Sequence, residues 1–331
     1  VTFSDLVVQA RETGRLADVD LTGFNLAESD LMGLVLENVI LDGSNFSGAR
    51  LSECRFVRCS LRGAVFTGAD LSEAVFAECT LTDADLGQSM TTLALFHDSD
   101  LNRVRFQDAD LSRTEIAQCS LEGTDFSESN LSRILLPAAD LTRAVFRNTN
   151  LERAFLRQAK LTGQRLTGCC LILAMFDQAE LRGIDISGLD ISRASFAQAD
   201  LTEAVCLEVR GQYAQFPEAR ADAARFTRAF LEGAVFSQST LRRTDFQAAN
   251  LQGALLADCD CIGGDFSRAD LRYADLSRSV LSGSRFLEAR LYMANLHRVD
   301  VAQVSQGGGD VSRVRTTDKD LADAELWVAN K

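Results

Sequence analysis

From Leu21 to Val301 the chain places a centre at every fifth position, and only Thr91, Gly211 and Ala221 depart from Leu, Phe, Ile, Val or Cys there. An amphipathic helix repeats its apolar face every 3.6 residues and a strand every 2, so this period belongs to neither and must be the length of a supersecondary unit. The positions around each centre are typed as well. Two before it the residue is small, as at Ala49, Ala64, Ala69, Ala74 and Ala109, and one before it is often Asp or Asn, as at Asp70, Asp85 and Asn130. No insertion shifts the register, and an unbroken repeat dictates architecture ahead of local propensity.

The segments ADLSE (69–73), ADLSR (109–113), ADLTR (139–143), ADLTE (199–203) and ANLQG (249–253) match the motif A(D/N)LXX. On these the chain resembles the pentapeptide-repeat family over roughly residues 19–305. The resemblance implies an all-β fold, a right-handed quadrilateral β-helix in which each five residues form one wall and four walls close a coil. The repeat region would then hold about fourteen coils, with short helical caps at the termini.

Turn chemistry supports that geometry independently. Fifteen of the 22 glycines lie two after a centre, where a type II turn takes φ > 0. Pro137 and Pro217 lie one after a centre, where φ near −65° is wanted. Taken by coil, Phe46, Phe66, Phe106, Phe126 and Phe146 fall on one wall, Phe56, Phe76 and Phe96 on the opposite one, and Leu ladders fill the walls between. The coil over 206–225 carries Cys206, Gly211 and Ala221 at its centres and should have a thin core.

Open solenoid ends invite polymerisation, so both termini should be covered. Residues 1–15 read as an N-terminal capping helix, with Ser4 as N-cap, Phe3 and Val8 as a staple and Gly14 as the stop. Residues 16–305 are the repeat body. Residues 306–331 read as a linker, opened by Gly307-Gly308-Gly309, and a capping helix with Leu321, Ala324, Glu325 and Val328 at helical spacing and Trp327 nearby. Two prolines and no polar linker before Gly307 suggest one continuous body. The first residue is Val, which suggests a processed chain or a segment of a larger protein.

Composition narrows the function. A net charge of −13 disfavours direct nucleic-acid binding, which relies on Lys and Arg neutralising phosphates. No apolar run approaches membrane length, so a soluble, cytoplasmic chain without membrane attachment is expected. Of nine cysteines, Cys54, Cys59, Cys79, Cys119, Cys169 and Cys259 take the small inward position, which reads as buried packing rather than disulfide or metal chemistry. His97 and His297 are the only histidines, and there is no phosphate loop, Cys-x-x-Cys ligand pair or nucleophile elbow. No catalytic residues, cofactor or metal are expected, and the chain does not read as an enzyme.

Function should therefore lie on the surface. One before the centres of one wall runs an apolar column, Val35, Val75, Leu95, Leu135, Phe155, Met175, Val235 and Leu255, which should face solvent as a contact stripe. A second column is acidic: Asp100, Asp140, Glu180, Asp200, Asp260 and Asp300, interrupted by Lys160 and Arg220. One corner carries Arg113, Arg133, Arg153 and Arg193. Two functions compete. One is a non-enzymatic bacterial protein-binding scaffold or adaptor, contacting a protein partner or a second copy through the apolar column. The start, DVDLTGFNLAESDL (18–31), looks similar to repeat regions attached to larger proteins, including accessory proteins of the type VI secretion system. The other is implied by the family resemblance: some members resemble a DNA duplex in size and charge and bind type II topoisomerases such as gyrase. The acidic column fits that reading and the arginine corner weakens it.

Overall fold

A computed structural model describes residues 12–300 and 312–326. The strands on the wall of the apolar column are short: β1 (Arg15–Ala17), β2 (Val35–Glu37), β3 (Arg55–Val57), β4 (Val75–Ala77), β5 (Leu95–His97) and β6 (Glu115–Ala117) form one parallel sheet in sequence order. Each pairs with the strand twenty residues on, Leu36 against Phe56 and Phe56 against Phe76. Elsewhere the same offset continues as single parallel bridges, from Asp20↔Ile40 to Asp275↔Asn295. The quadrilateral β-helix expected from the repeat is thus the observed architecture. The described chain divides into two compact units, residues 1–161 with 166–175, and residues 162–165 with 176–331.

The backbone explains the five-residue period. At most centres the N–H donates to the next coil, as from Phe66 to the Asp85 carbonyl at 2.7 Å, and the residue before it donates to the preceding coil, as from Asp70 to Ala49 at 2.9 Å. The centre's carbonyl accepts from the N–H three residues on, Ala69 to Phe66 at 2.9 Å, which closes a turn. The second central residue of that turn is left-handed: Gly68 has φ +68°. Glycine is not obligatory there. Arg113, Glu73 and Gln178 occupy the same position at φ of +59°, +59° and +60°. A side chain in that region costs roughly 1–2 kcal/mol, and the N–H of each such residue is held by the next coil, Glu73 to Thr92 at 3.0 Å. The sequence pattern exposed the fifteen glycines but not the non-glycine residues sharing their conformation.

Packing follows from stacking like on like. In the first unit Phe46 lies over Phe66 with centroids 4.7 Å apart, and Phe56 over Phe76 at 4.6 Å, all rings nearly parallel. The two ladders meet edge to face, Phe56 to Phe66 at 6.5 Å and 90°. The second unit repeats the device with Phe176, Phe196, Phe216 and Phe236 facing Phe226, Phe246, Phe266 and Phe286. Its coil at 206–225 is not hollow. A Cβ on Gly211 would meet Leu231 at 3.0 Å and Ile191 at 3.1 Å, so neighbouring side chains occupy the space a larger centre would take.

The small inward position has a second role. Ser44 donates to the Leu21 carbonyl at 2.8 Å, Thr124 to Leu101 at 2.8 Å, and the Cys54 thiol to Leu31 at 2.9 Å. Cysteine therefore stands in for serine and threonine, satisfying a carbonyl of the preceding coil. All nine cysteines are free. Burial pushes the Cys54 thiol up to about 12 and those of Cys119 and Cys169 up to about 11.

At the chain's described end, α1 (Lys319–Leu326) starts from Asp318, whose carboxylate accepts the Leu321 N–H at 3.1 Å. It docks through charge rather than an apolar face, since Leu321 and Leu326 are exposed. Glu325 lies 3.3 Å from Arg278, 3.2 Å from Arg298 and 3.4 Å from His297 Nε2. His297 is buried and its Nδ1 accepts the Asp318 N–H at 3.2 Å. Of the expected N-terminal helix only Glu12 and Thr13, both helical, and Gly14 are described; Phe3, Ser4 and Val8, the Gly307–Gly309 run, Trp327 and Val328 lie outside the described residues.

Three measurements check this account. Phe66→Ala, which removes a ring packed on three others, should lower stability by about 3–5 kcal/mol in urea unfolding; a loss below about 1 kcal/mol would contradict the stacked core. In the native protein a thiol reagent should reach at most the two half-buried cysteines, Cys119 and Cys170, and the remaining seven only on unfolding. Glu325→Ala should raise amide exchange across 319–326 without changing it in the coils, and unaltered protection of that helix would show that the carboxylate does not hold it.

Candidate interaction surface

Because side chains alternate along each short strand, the residue before a centre points away from the core. The predicted columns are therefore on the outside, but pairing breaks them into segments. In the first unit the apolar column runs Val75–Leu95, then Leu135–Phe155–Met175, with Arg55 and Glu115 at the intervening coils. Leu135 and Met175 are 39% and 40% exposed, while Val75, Leu95 and Phe155 are half-buried among their neighbours. In the second unit Val235 and Leu255 pair between Gln215 and Asp275, and Leu255 is 43% exposed. The longest uninterrupted apolar run is the one over Leu135, Phe155 and Met175.

The acidic column is more occupied than its sequence suggests. In the first unit the Asp100 carboxylate accepts from Thr82 at 2.7 Å, Asn102 N–H at 2.9 Å and Ser120 at 2.9 Å. Burial pushes that carboxyl up, but the three hydrogen bonds outweigh it and hold it below the ordinary range. Asp140 accepts both the Thr142 hydroxyl, at 2.6 Å, and its N–H, at 3.1 Å, and these bonds lower it similarly. In the second unit Asp200 accepts from Thr202 in the same way and Asp260 is paired with Arg242 at 2.6 Å. The backbones of Glu180 and Asp200 pair on successive coils, and Asp300 is exposed at the end of the described coils. Much of the column thus shapes turns, as Asp and Asn do when they bond the backbone two residues on.

The arginine corner lies between the apolar column and a column of amides in the first unit. Arg113, Arg133 and Arg153 are exposed on three successive coils. They edge an open groove of about 430 Å³ whose other lining includes Thr92, Ser112, Asn130, Ser132, Asn150 and Glu152. Asn150 donates to Asn130 at 3.1 Å and Asn130 to Asp110 at 3.0 Å, which sets the amides in one line. Arg193 belongs to the second unit.

Exposed aromatic residues at corners and outward positions were not singled out in the sequence. In the second unit Tyr213 is 53% exposed and its ring lies across Gly233, where a Cβ would come within 2.6 Å of it; Phe230 is 49% exposed on the adjoining wall. Large apolar residues at non-centre positions were the available signal. Another open groove, of about 550 Å³, is lined by Arg272, Tyr273, Glu288, Arg290 and Tyr292 among others. Among the described residues no cluster of three or more His, Cys, Asp or Glu is placed to hold a metal ion, and no helix is long and apolar enough to cross a membrane.

Two family models match the chain. One, for a pentapeptide repeat region, covers residues 12–86 and 29–106; the other, for pentapeptide repeats in eight copies, covers 94–133, 139–178, 222–258 and 265–301. No curated protein matches. Among solved structures, a trypsin-treated QnrB1, a plasmid-mediated fluoroquinolone resistance protein, is 24% identical over 57% of this chain and 82% of its own, with a TM-score of 0.27. HetL of Nostoc sp. strain PCC 7120, involved in heterocyst differentiation regulation, is 22% identical over 88% and 95%, with a TM-score of 0.16. A pentapeptide repeat protein of the Arabidopsis thaliana thylakoid lumen is 22% identical over 34% and 70%, with a TM-score of 0.23.

Proposed function

We propose that this chain, which belongs to the pentapeptide-repeat family, is a non-enzymatic protein-binding scaffold or adaptor whose outward apolar column is its contact surface. The observation that carries the reading is the run Leu135–Phe155–Met175, large apolar side chains stacked on the outside of a wall. The wall is held on both sides by coil-to-coil hydrogen bonds, Leu136 N–H to Phe155 at 2.9 Å and Leu156 N–H to Met175 at 2.8 Å. A pre-ordered apolar patch loses little conformational entropy on binding, and Phe and Met are enriched where interfaces are fully buried. A role as the repeat region of a larger, secretion-associated protein is compatible with this surface.

The alternative, a DNA-like surface that occupies a topoisomerase, needs a line of carboxylates free to imitate phosphates. Asp140 and Asp200 are turned onto Thr142 and Thr202, and Asp260 is neutralised by Arg242, so the scaffold reading is the better supported.

Leu135→Asp with Phe155→Asp should leave the coil intact by circular dichroism. It should also abolish any self-association seen by sedimentation velocity or any partner retained by the wild-type chain. Undiminished association would remove the column as the contact surface. Gyrase supercoiling should be unaffected by either protein at micromolar concentration; inhibition would restore the DNA-like reading.

A further inference from the structure

Many charges on this solenoid are answered by opposite charges one coil away. In the first unit Asp83 takes Arg103 in two hydrogen bonds of 2.6 and 2.8 Å, Asp85 takes Arg105 at 2.6 Å, and Asp30 takes Arg50 at 3.3 Å. The corner at Arg113, Arg133 and Arg153 does the opposite and stacks like on like. Among the described residues Arg113 and Arg133 make no ion pair, and Arg153 approaches only its neighbour Glu152, at 3.7 Å.

The positions themselves are fixed. All three residues are left-handed, with φ of +59°, +60° and +58°, and their N–H groups are bonded to the next coil at 3.1, 2.9 and 2.9 Å. The guanidinium roots therefore repeat at the coil spacing of about 4.8 Å and span about 10 Å. Like charges directly opposite one another destabilise a sheet, and here three accumulate beside the longest apolar run of the same unit, Leu135, Phe155 and Met175. On the other flank stand donors: the Ser112 and Ser132 hydroxyls and the amides of Asn130 and Asn150.

We propose that the Arg113–Arg133–Arg153 corner and the adjoining Leu135–Phe155–Met175 run form one docking surface for an extended protein segment that carries both acidic and apolar side chains. This rests on the scaffold reading above and names the chemistry of its partner. In an extended segment, side chains two residues apart point the same way and lie about 6.6–6.8 Å apart. Two carboxylates at that spacing fit within the ladder, while the alternate, apolar side chains reach the neighbouring column. The guanidinium fork suits carboxylates because it can hold both oxygens at once. A nucleic acid would extend beyond this one corner and meet the net charge of −13.

The test uses the full chain and fluorescein-labelled synthetic peptides alternating Glu with Leu, Gln with Leu, or carrying Glu alone, read by anisotropy. The Glu–Leu peptide should bind tightest and weaken with salt. Arg113→Glu, Arg133→Glu and Arg153→Glu together should weaken it at least about tenfold, with the Arg→Gln triple variant falling between. Equal binding of the Gln–Leu peptide, equal affinity of the Arg→Glu variant, no binding of the Glu–Leu peptide, or tighter binding of a short DNA duplex would each overturn the proposal. Loss in the Arg→Glu variant with retention in Leu135→Asp/Phe155→Asp would overturn the joint site, leaving an arginine contact alone, and would remove the apolar column from the scaffold reading. The reverse pattern would overturn the proposal and leave that reading standing.

Discussion

Everything in this protein depends on one hydrogen-bonding constraint: residue i must sit beside residue i + 20 on a parallel neighbour. The Phe66 N–H bonded to the Asp85 carbonyl and the Asp70 N–H bonded to Ala49 recur at successive walls, so the chain has little freedom in what stacks on what. A helix bundle can repack around a misplaced side chain. Here a residue is committed to the column its number places it in, and each column becomes a one-dimensional problem of self-compatibility.

That constraint sorts residue types by what they do when stacked on their own kind. Phenylalanine gains, because rings 4.6–4.7 Å apart face one another in parallel and meet the opposite ladder edge-on. Amides also gain, as Gln178 donates to Gln198 at 2.8 Å and Gln198 to Glu218 at 2.9 Å. Arginine and aspartate lose unless they alternate, which accounts for pairs such as Asp83 with Arg103 and Asp258 with Arg278. Exposed pairs of this kind add little stability individually. Their more important effect is to avoid the repulsion that an unmixed column would create.

The repeat architecture was legible because the same constraint writes a period into the sequence, and the Phe and Leu walls could be assigned before any coordinate was known. Three features were not. Left-handed Arg113, Glu73 and Gln178 look like ordinary surface residues, since the conformation is imposed by the turn and the next coil rather than by side-chain type. The thiol of Cys54 acting as a hydroxyl toward Leu31 is hidden because smallness alone explains cysteine at that position. The occupancy of the acidic column was hidden because a carboxylate's partner can lie two residues on, as for Asp140, or eighteen away, as for Asp260. Register places a side chain in a column; it does not choose its rotamer.

The same logic bears on where function can reside. Core columns are fully determined by self-stacking, and corners carrying glycine have no side chain to vary, so variation in partner recognition is confined to the outward column residues and the non-glycine corners. On a rigid wall such residues recognise by position along the axis, each coil offering one reading site about 4.8 Å from the next. A cluster that departs from alternation, as at Arg113 and Arg133, gains nothing from its own stacking and leaves its charge to solvent or to a partner, so departures from self-compatibility, rather than matches to the repeat, are where a search for a binding surface on this fold begins.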